Sequence, residues 1–413
     1  MKRHTKTKVH VKAASQALVR LGLFTVLLIS GLAPASGQTG SPSPSPPRSS
    51  KNPQATPGTS VDQSQDKNKP VDLDANKNPS RGSWLIAPIP INSPAFGGGL
   101  ILAVGYVFSI KMEDKLSPPS TVGVAGAWTS SGSRGGVVAA KLYFGENKYQ
   151  TTIAAGTGRA NYDYFGTGRV PGQDAIAVHI RQQGTFFFGE FMRNFGKKIF
   201  VGPRYQYRVL RSARDGSQLP GELPIPELGL KSTTAALGFH IQRDLRDSTF
   251  YPTKGSLLDF KADFFAKAFG SNRTYQTYSL SYNGYHTIGD KQVLAYRGVA
   301  CSVSDKTPFF DLCLYGARGD IRGYTAGEFQ DRRMFAAQAE YRRELFWRFG
   351  VVAFAGFGGI AREWNKFQFN QLLPGGGAGL RVKLDKKNHI NYRIDLGFGR
   401  AGHTLSFSVT EAF

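Results

Sequence analysis

Residues 403–413 read HTLSFSVTEAF. Successive side chains of a strand point to opposite faces, so Leu405, Phe407, Val409 and Phe413 fall on one side and Thr404, Ser406, Ser408 and Thr410 on the other. The sequence stops there on a bare aromatic. An unpaired strand of this kind in water is a template for aggregation, so its edge is expected to be paired within a closed sheet.

The same period-two pattern recurs from Trp84 onward. In 389–399, His389, Asn391, Arg393 and Asp395 oppose Ile390, Tyr392, Ile394, Leu396 and Phe398. In 334–345, Gln338, Glu340, Arg342 and Glu344 share one face and Phe335, Ala337, Ala339, Tyr341 and Leu345 the other. A soluble sandwich of two sheets would show the same alternation. Its strands, however, run to about five or six residues, and the alternating stretches here are far longer. Aromatics gather near strand ends, as in Phe186-Phe187-Phe188, Phe264-Phe265 and Tyr275 to Tyr285. A transmembrane barrel explains both features, with apolar side chains to lipid, polar ones to the lumen and aromatic girdles at the interfaces. The composition, with 49 Gly and 12% aromatics, leans the same way. No stretch beyond the leader is apolar for the roughly twenty residues a membrane helix needs.

Outer-membrane barrels join their strands by short periplasmic turns and longer extracellular loops. Counting back from a periplasmic carboxy end, short turns fall near Lys386-Lys387, Phe346-Trp347, Gly289-Asp290, Pro252 to Gly255, Asn194 to Lys197, Gly145 to Asn147 and Glu113 to Pro119. Long polar connections alternate with them at Arg362 to Pro374, Ser304 to Arg333, Ser212 to Leu228 and Arg159 to Gln173. This parity makes the strand 97–109 run downward and demands an upward strand before it, for which Trp84 to Asn92 is the candidate. The expectation is an all-β, 16-stranded antiparallel transmembrane β-barrel. The first strand is expected to pair poorly along part of its length, because Pro88 and Pro90 lack a ladder donor, which makes its junction with the last strand the weakest seam.

Ahead of the barrel, Lys2, Arg3, Lys6, Lys8, Lys12 and Arg20 precede the apolar run 21–32 and the small-x-small pattern Ala33-Pro34-Ala35. Residues 1–35 therefore read as a secretory signal peptide. Residues 36–83 are rich in Ser, Pro, Asn, Lys, Asp and Gln, have almost no bulky apolar residue and read as a disordered periplasmic linker. The barrel is assigned to 84–413. The net charge of +23 would suit nucleic acid, but an exported protein meets anionic lipid headgroups and lipopolysaccharide first, so no nucleic-acid partner is expected. The two cysteines, Cys301 and Cys313, are expected to form a disulfide in an exported chain. With no His nearby they make no zinc site, and no metal or other cofactor is expected.

Three segments resemble one family. Asp244-Leu245-Arg246-Asp247 followed by Tyr251-Pro252-Thr253-Lys254-Gly255 is similar to the D-x-R-D...P-T-x-G periplasmic turn of BamA/TamA-type outer-membrane proteins, the bacterial surface antigen family. Pro308-Phe309-Phe310, Gly319 and Arg322-Gly323-Tyr324 resemble its long extracellular loop with an R-G-F/Y tip, and Glu340 stands in A-E-Y-R on the next strand, where the family keeps an acidic partner. The resemblance covers 84–413. It implies a long inward-folded loop, 304–333, whose Arg322 guanidinium meets Glu340 on the lumen wall, with Gly323 allowing the turn and Tyr324 packing below. Such a pair suits the rigid planar fork of arginine. The resemblance also implies that Phe413, on the lipid-facing register at the periplasmic rim, is the recognition signal read by the barrel assembly machinery. Two departures stand out. Phe354-Ala355-Gly356-Phe357-Gly358 carries glycine where the family often has a second acidic partner in F-x-D-x-G, and the amino side offers a tether in place of the POTRA domains that receive clients.

The expected function is assistance in outer-membrane protein assembly or translocation with a separate periplasmic partner. A passive, anion-favouring pore is the alternative if enough of the basic excess lines the lumen. An enzyme is not expected: no G-x-S-x-G motif is present, and His179, His240, His286, His389 and His403 show no triad spacing.

Overall fold

The computed structural model describes residues 82–93, 97–114, 116–172, 178–214, 231–316, 319–325, 327–385 and 389–413. The signal peptide expected over 1–35, nearly all of the linker expected over 36–83, much of the loop expected over 212–228 and the Lys386-Lys387 turn lie outside them.

Chain order gives β1 (Gly82–Ser93), β2 (Gly97–Phe108), β3 (Ser120–Thr129), β4 (Arg134–Phe144), β5 (Tyr149–Tyr164), β6 (Val178–Asn194), β7 (Ile199–Arg214), β8 (Lys231–Asp244) and β9 (Gly255–Phe265). There follow β10 (Tyr275–Gly289), β11 (Gln292–Val303), the short β12 (Cys313–Leu314) and β13 (Gln330–Asp331), then β14 (Arg333–Glu344), β15 (Phe349–Ala361), β16 (Gly375–Asp385), β17 (Ile390–Gly399) and β18 (Gly402–Val409). Sixteen of these form one antiparallel sheet in chain order, interrupted only where β12 and β13 pair with each other inside the connection between β11 and β14. The strand count and the short-turn parity expected from the sequence are those of the structure.

The sheet curls round so that β1 and β18 lie side by side, yet no ladder joins them. The hydrogen-bonded closure expected between the last and first strands is therefore corrected to an open seam. The prolines supply a physical reason. The β1–β2 ladder runs unbroken from Gly82↔Phe108 to Ser93↔Gly97, through Pro88 and Pro90. Residues two apart direct their nitrogens to the same neighbour, so an unbroken ladder on the β2 side leaves the donor-less nitrogens facing β18. The deficit expected in β1 falls on the seam and not on β2.

Outward positions are apolar and exposed, as at Leu100, Leu102, Val124, Val138, Ile153, Phe187 and Phe239. Inward positions are buried, and their chemistry divides the wall. Along β1 to β6 the middle of the inner face carries Ile101, Ala127, Val137, Ala139, Ala154 and Phe186, which form one apolar cluster. From β7 to β17 it carries arginines, carboxylates and amides, among them Arg204, Arg208, His240, Asp259, Gln338, Glu340, Arg342, Arg381 and Asp395.

A second correction concerns the carboxy end. The sequence pattern extends the last strand to a lipid-facing Phe413, but β18 stops at Val409. Thr410 adopts φ 71°, its N–H donating to the Asn391 carbonyl at 2.7 Å, and the chain turns into the barrel. A β-branched residue in that region costs about 1–3 kcal/mol, so contacts made by the following residues must offset it. Val409 packs with Ala87, Phe250 and Ile390, and Ala412 lies so close to the inward loop that a Cβ on Gly319 would sit 2.9 Å from its carbonyl oxygen.

Candidate functional site in the lumen

Strands β14, β15, β16 and β17 project Glu340, Phe354, Arg381 and Asp395 into the lumen, because each lies on the inward register. The loop between β11 and β14 brings Arg322 down to them. Its guanidinium reaches Glu340 Oε2 at 2.5 Å and Asp395 Oδ2 at 3.0 Å, and stacks 3.4 Å from the Phe354 ring centroid. All three polar groups are buried, Glu340 and Asp395 almost completely. Planar, weakly hydrated guanidinium is suited to this double engagement of carboxylates and a ring face.

The network extends on both sides of Glu340. Arg342 Nε donates to Glu340 Oε1 at 2.6 Å, and Arg381 donates to Asp395 at 2.6 Å and to Glu411 Oε2 at 2.7 Å. Asn391 donates to the other Glu411 oxygen at 2.8 Å. Arg342 also donates to the Phe413 main-chain oxygen at 2.9 Å, its guanidinium lying 5.5 Å from the Phe413 ring. Arginines from the loop and two strands thus share carboxylates from two strands and the inward tail. Each charge has an opposite neighbour, which is what a buried ionic cluster requires.

Sequence-predicted residues fall into place as follows. Arg322 and Glu340 meet. Gly323 has φ 110°, donates its N–H to Thr404 Oγ1 at 3.1 Å, and would place a Cβ 2.6 Å from the Phe398 backbone, so both conformation and space demand glycine. Tyr324 donates to the Pro374 carbonyl at 2.5 Å, accepts from the Arg400 N–H at 3.0 Å, and packs edge-on to Tyr315 and Phe329. Cys301 and Cys313 are bonded, with Cα atoms 5.8 Å apart, tying the loop base to β11. A further tie comes from Arg208 of β7, which donates to Asp311 at 2.7 Å.

The periplasmic turn is built by its acids. Asp244 receives Arg246 through Nε at 2.9 Å and a terminal nitrogen at 2.7 Å, while Asp247 accepts from the backbone of Thr253 at 2.9 Å and Lys254 at 3.1 Å. Gly255, with φ 94°, passes so near Leu245 that a Cβ would meet its carbonyl at 2.1 Å. Pro252 and its neighbours Phe250 and Tyr251 are buried, and the Pro252 carbonyl faces Arg342 at 3.5 Å. Phe413 is where the expectation fails: it lies against Arg342 inside the barrel and not on the lipid-facing register.

Sequence reasoning left Arg342, Arg381, Asp395 and Glu411 without a role. The second acidic partner, absent from the β15 motif, is Asp395 two strands away. The glycines in that motif have a reason of their own: a Cβ on Gly356 would sit 2.6 Å from Ile321 of the loop, and one on Gly358 2.7 Å from Tyr315. They make room for the loop to pass.

An Omp85 superfamily domain matches residues 142–386. Among solved structures the chain is similar to BamA from Haemophilus ducreyi lacking POTRA domains 1–3, at 14% identity and a TM-score of 0.50, covering 80% of this chain and 70% of that one. It is also similar to CdiB from Acinetobacter baumannii, at 13% identity and a TM-score of 0.52, covering 79% of this chain, and to CdiB from Escherichia coli, at 13% and 0.54, covering 80%. The chain spans 59% and 62% of those two CdiB chains. No curated protein matches it. At these identities the structural likeness speaks to the fold.

Proposed function

The chain belongs to the Omp85 superfamily, and on that premise we propose that this outer-membrane barrel assists the assembly or translocation of other outer-membrane proteins, working with a separate periplasmic partner. One observation carries the reading: β1 and β18 are neighbours without a ladder. A strand edge with free donors and acceptors is a template for another strand, and in a membrane such groups are costly unless something pairs with them. Donor-less Pro88 and Pro90 keep the two edges from sealing against each other. The outward apolar belt meets lipid, and the loop and tail in the lumen weigh against a passive pore.

Vesicles containing the full chain, supplied with a urea-denatured outer-membrane protein, test the proposal. Folding of the substrate, followed by its altered migration in unheated gels, is expected to be faster than in vesicles carrying an inert barrel of similar size, and faster again when a periplasmic fraction is added. Equal rates in all vesicles would overturn it.

A further inference from the structure

Beside the β14–β15 turn, at the periplasmic end of the lumen, lies a half-open cavity of about 120 Å³. A single water needs only about 10–15 Å³ of such space, so the cavity has room for a carboxylate and the methylenes that carry it. Strand register sets its wall: Arg342 on β14, Arg381 and Lys383 on β16 and Asn391 on β17 all take the inward face. The turn contributes Phe346, Trp347 and Arg348. Tyr251, from the buried part of the periplasmic turn before β9, adds its ring, stacked 4.5 Å from that of His389.

The charges on this lining do not balance. Glu344 is answered by His389 at 2.6 Å and by Lys383 at 3.3 Å, and Glu411 by Arg381 at 2.7 Å and Asn391 at 2.8 Å. Lys291 and Arg348 are left over, with no carboxylate partner among the described residues. Arg348 gives one terminal nitrogen to the Lys383 and Leu384 carbonyls, at 2.8 and 3.2 Å, and keeps its other donors in reserve. Buried Arg381 also has a spare donor, since its second terminal nitrogen lies 3.7 Å from Glu340 and makes no hydrogen bond among the described residues. Spare guanidinium donors beside unpaired cations favour a carboxylate strongly.

Glu411 indicates what kind of carboxylate fits. Arg381 already holds this acid from a polypeptide end that enters the lumen, and Glu411 itself lines the cavity. Exposed Phe346 and Trp347 put apolar surface next to the charge, which suits a peptide better than a free anion. The inward register of the wall turns the cavity away from the lipid belt.

We propose that this cavity receives a glutamate or aspartate side chain of the periplasmic partner, with Lys291, Arg348 and Arg381 holding its carboxylate. Only the source of the acid rests on the assembly reading; the anion site stands on the cavity and its charges.

The test irradiates the full chain in detergent micelles with a capped tripeptide, glutamate between two photoleucines, and maps the labelled residues by mass spectrometry. A second peptide carries glutamine in place of glutamate. The glutamate peptide is expected to label Tyr251, Trp347 and Val352 about tenfold more than the glutamine peptide, the ratio one charge-assisted hydrogen bond supplies. Combining Lys291→Glu with Arg348→Glu is expected to bring the two peptides level, while migration in unheated gels remains that of a folded barrel. Lys291→Ala, the milder change, is expected to narrow the ratio. Equal labelling by both peptides in the wild-type chain would overturn the site, as would a preference that survives the double variant. Loss of glutamate-peptide labelling on adding inorganic phosphate at the peptide's own concentration would assign the cavity to phosphate and overturn its use by polypeptide. Labelling is read without a folding substrate, so its failure is distinct from a failure of the vesicle assembly assay.

Discussion

Arg322 is held by two carboxylates and a ring, so its removal leaves Glu340 and Asp395 facing a deficit of positive charge in a buried setting. Breaking such a pair from one side typically costs about 3–5 kcal/mol. Arg322→Ala and Glu340→Ala are each expected to lower the urea midpoint of barrel unfolding, and the double variant to fall short of the sum by more than about 0.5 kcal/mol. Strict additivity would remove the pairing from the account. Gly356→Asp, which writes the family's acidic residue into β15, is expected to destabilise the barrel or displace the loop, since Ile321 already fills that space; faster protease cleavage within 304–332 would report the displacement. The Arg322–Glu340 contact was legible because an R-G-Y tip and an inward acid follow each other in family order. Asp395 was visible as an inward carboxylate but lacked an assigned partner, since parity gives a face and not a neighbour. Glu411 carried the clearest missed signal. It falls on the register shared by Leu405, Phe407 and Val409, where a carboxylate would face lipid at considerable cost, so the strand had to end before it.

At the level of elements, loop and tail behave as two inserts sharing one anchor. The loop is fastened by the Cys301–Cys313 bond, by Arg208 on Asp311 and by Arg322, whereas the tail depends on Glu411 and the Phe413 main-chain oxygen. Glu411→Ala is expected to free 410–413, seen as faster amide hydrogen exchange in that segment and at Gly319, which abuts Ala412. Unchanged exchange at both places would show that Phe413 suffices. Replacing both cysteines by serine is expected to speed protease cleavage near Cys313 while leaving the sixteen-strand sheet folded, because the bond constrains a loop already held at two other points. Strand lengths and turns were legible from period two and from connection length. The inward turn at Thr410 was not, because threonine is ordinary in strands and uncommon at positive φ.

Over the whole molecule, the alternation that announced a barrel concealed the division of its inner wall. Small apolar residues on β1 to β4 satisfy a period-two reading whichever way they point, so an apolar inner face beside an apolar outer one leaves no contrast to detect. The charged wall, by contrast, stands out residue by residue. With loop and tail in the lumen, single-channel conductance in planar bilayers is expected to be small. It is expected to rise in Arg322→Ala combined with Glu411→Ala; a large, steady conductance in the wild-type chain would contradict the occupied lumen.

The cluster around Glu340 joins residues 322, 340, 342, 381, 395 and 411, and with Arg342 on Phe413 it reaches the last residue of the sequence. Contacts so far apart along the chain form late, since long loops must close first. Asp395 and Glu411 join Arg322 and Arg381 only when the final hairpin arrives, so completing the cluster and bringing β18 beside β1 become a single event. A barrel halted one hairpin short would lack two of the cluster's carboxylates, a mark by which quality control could tell unfinished molecules from finished ones even though both carry open strand edges.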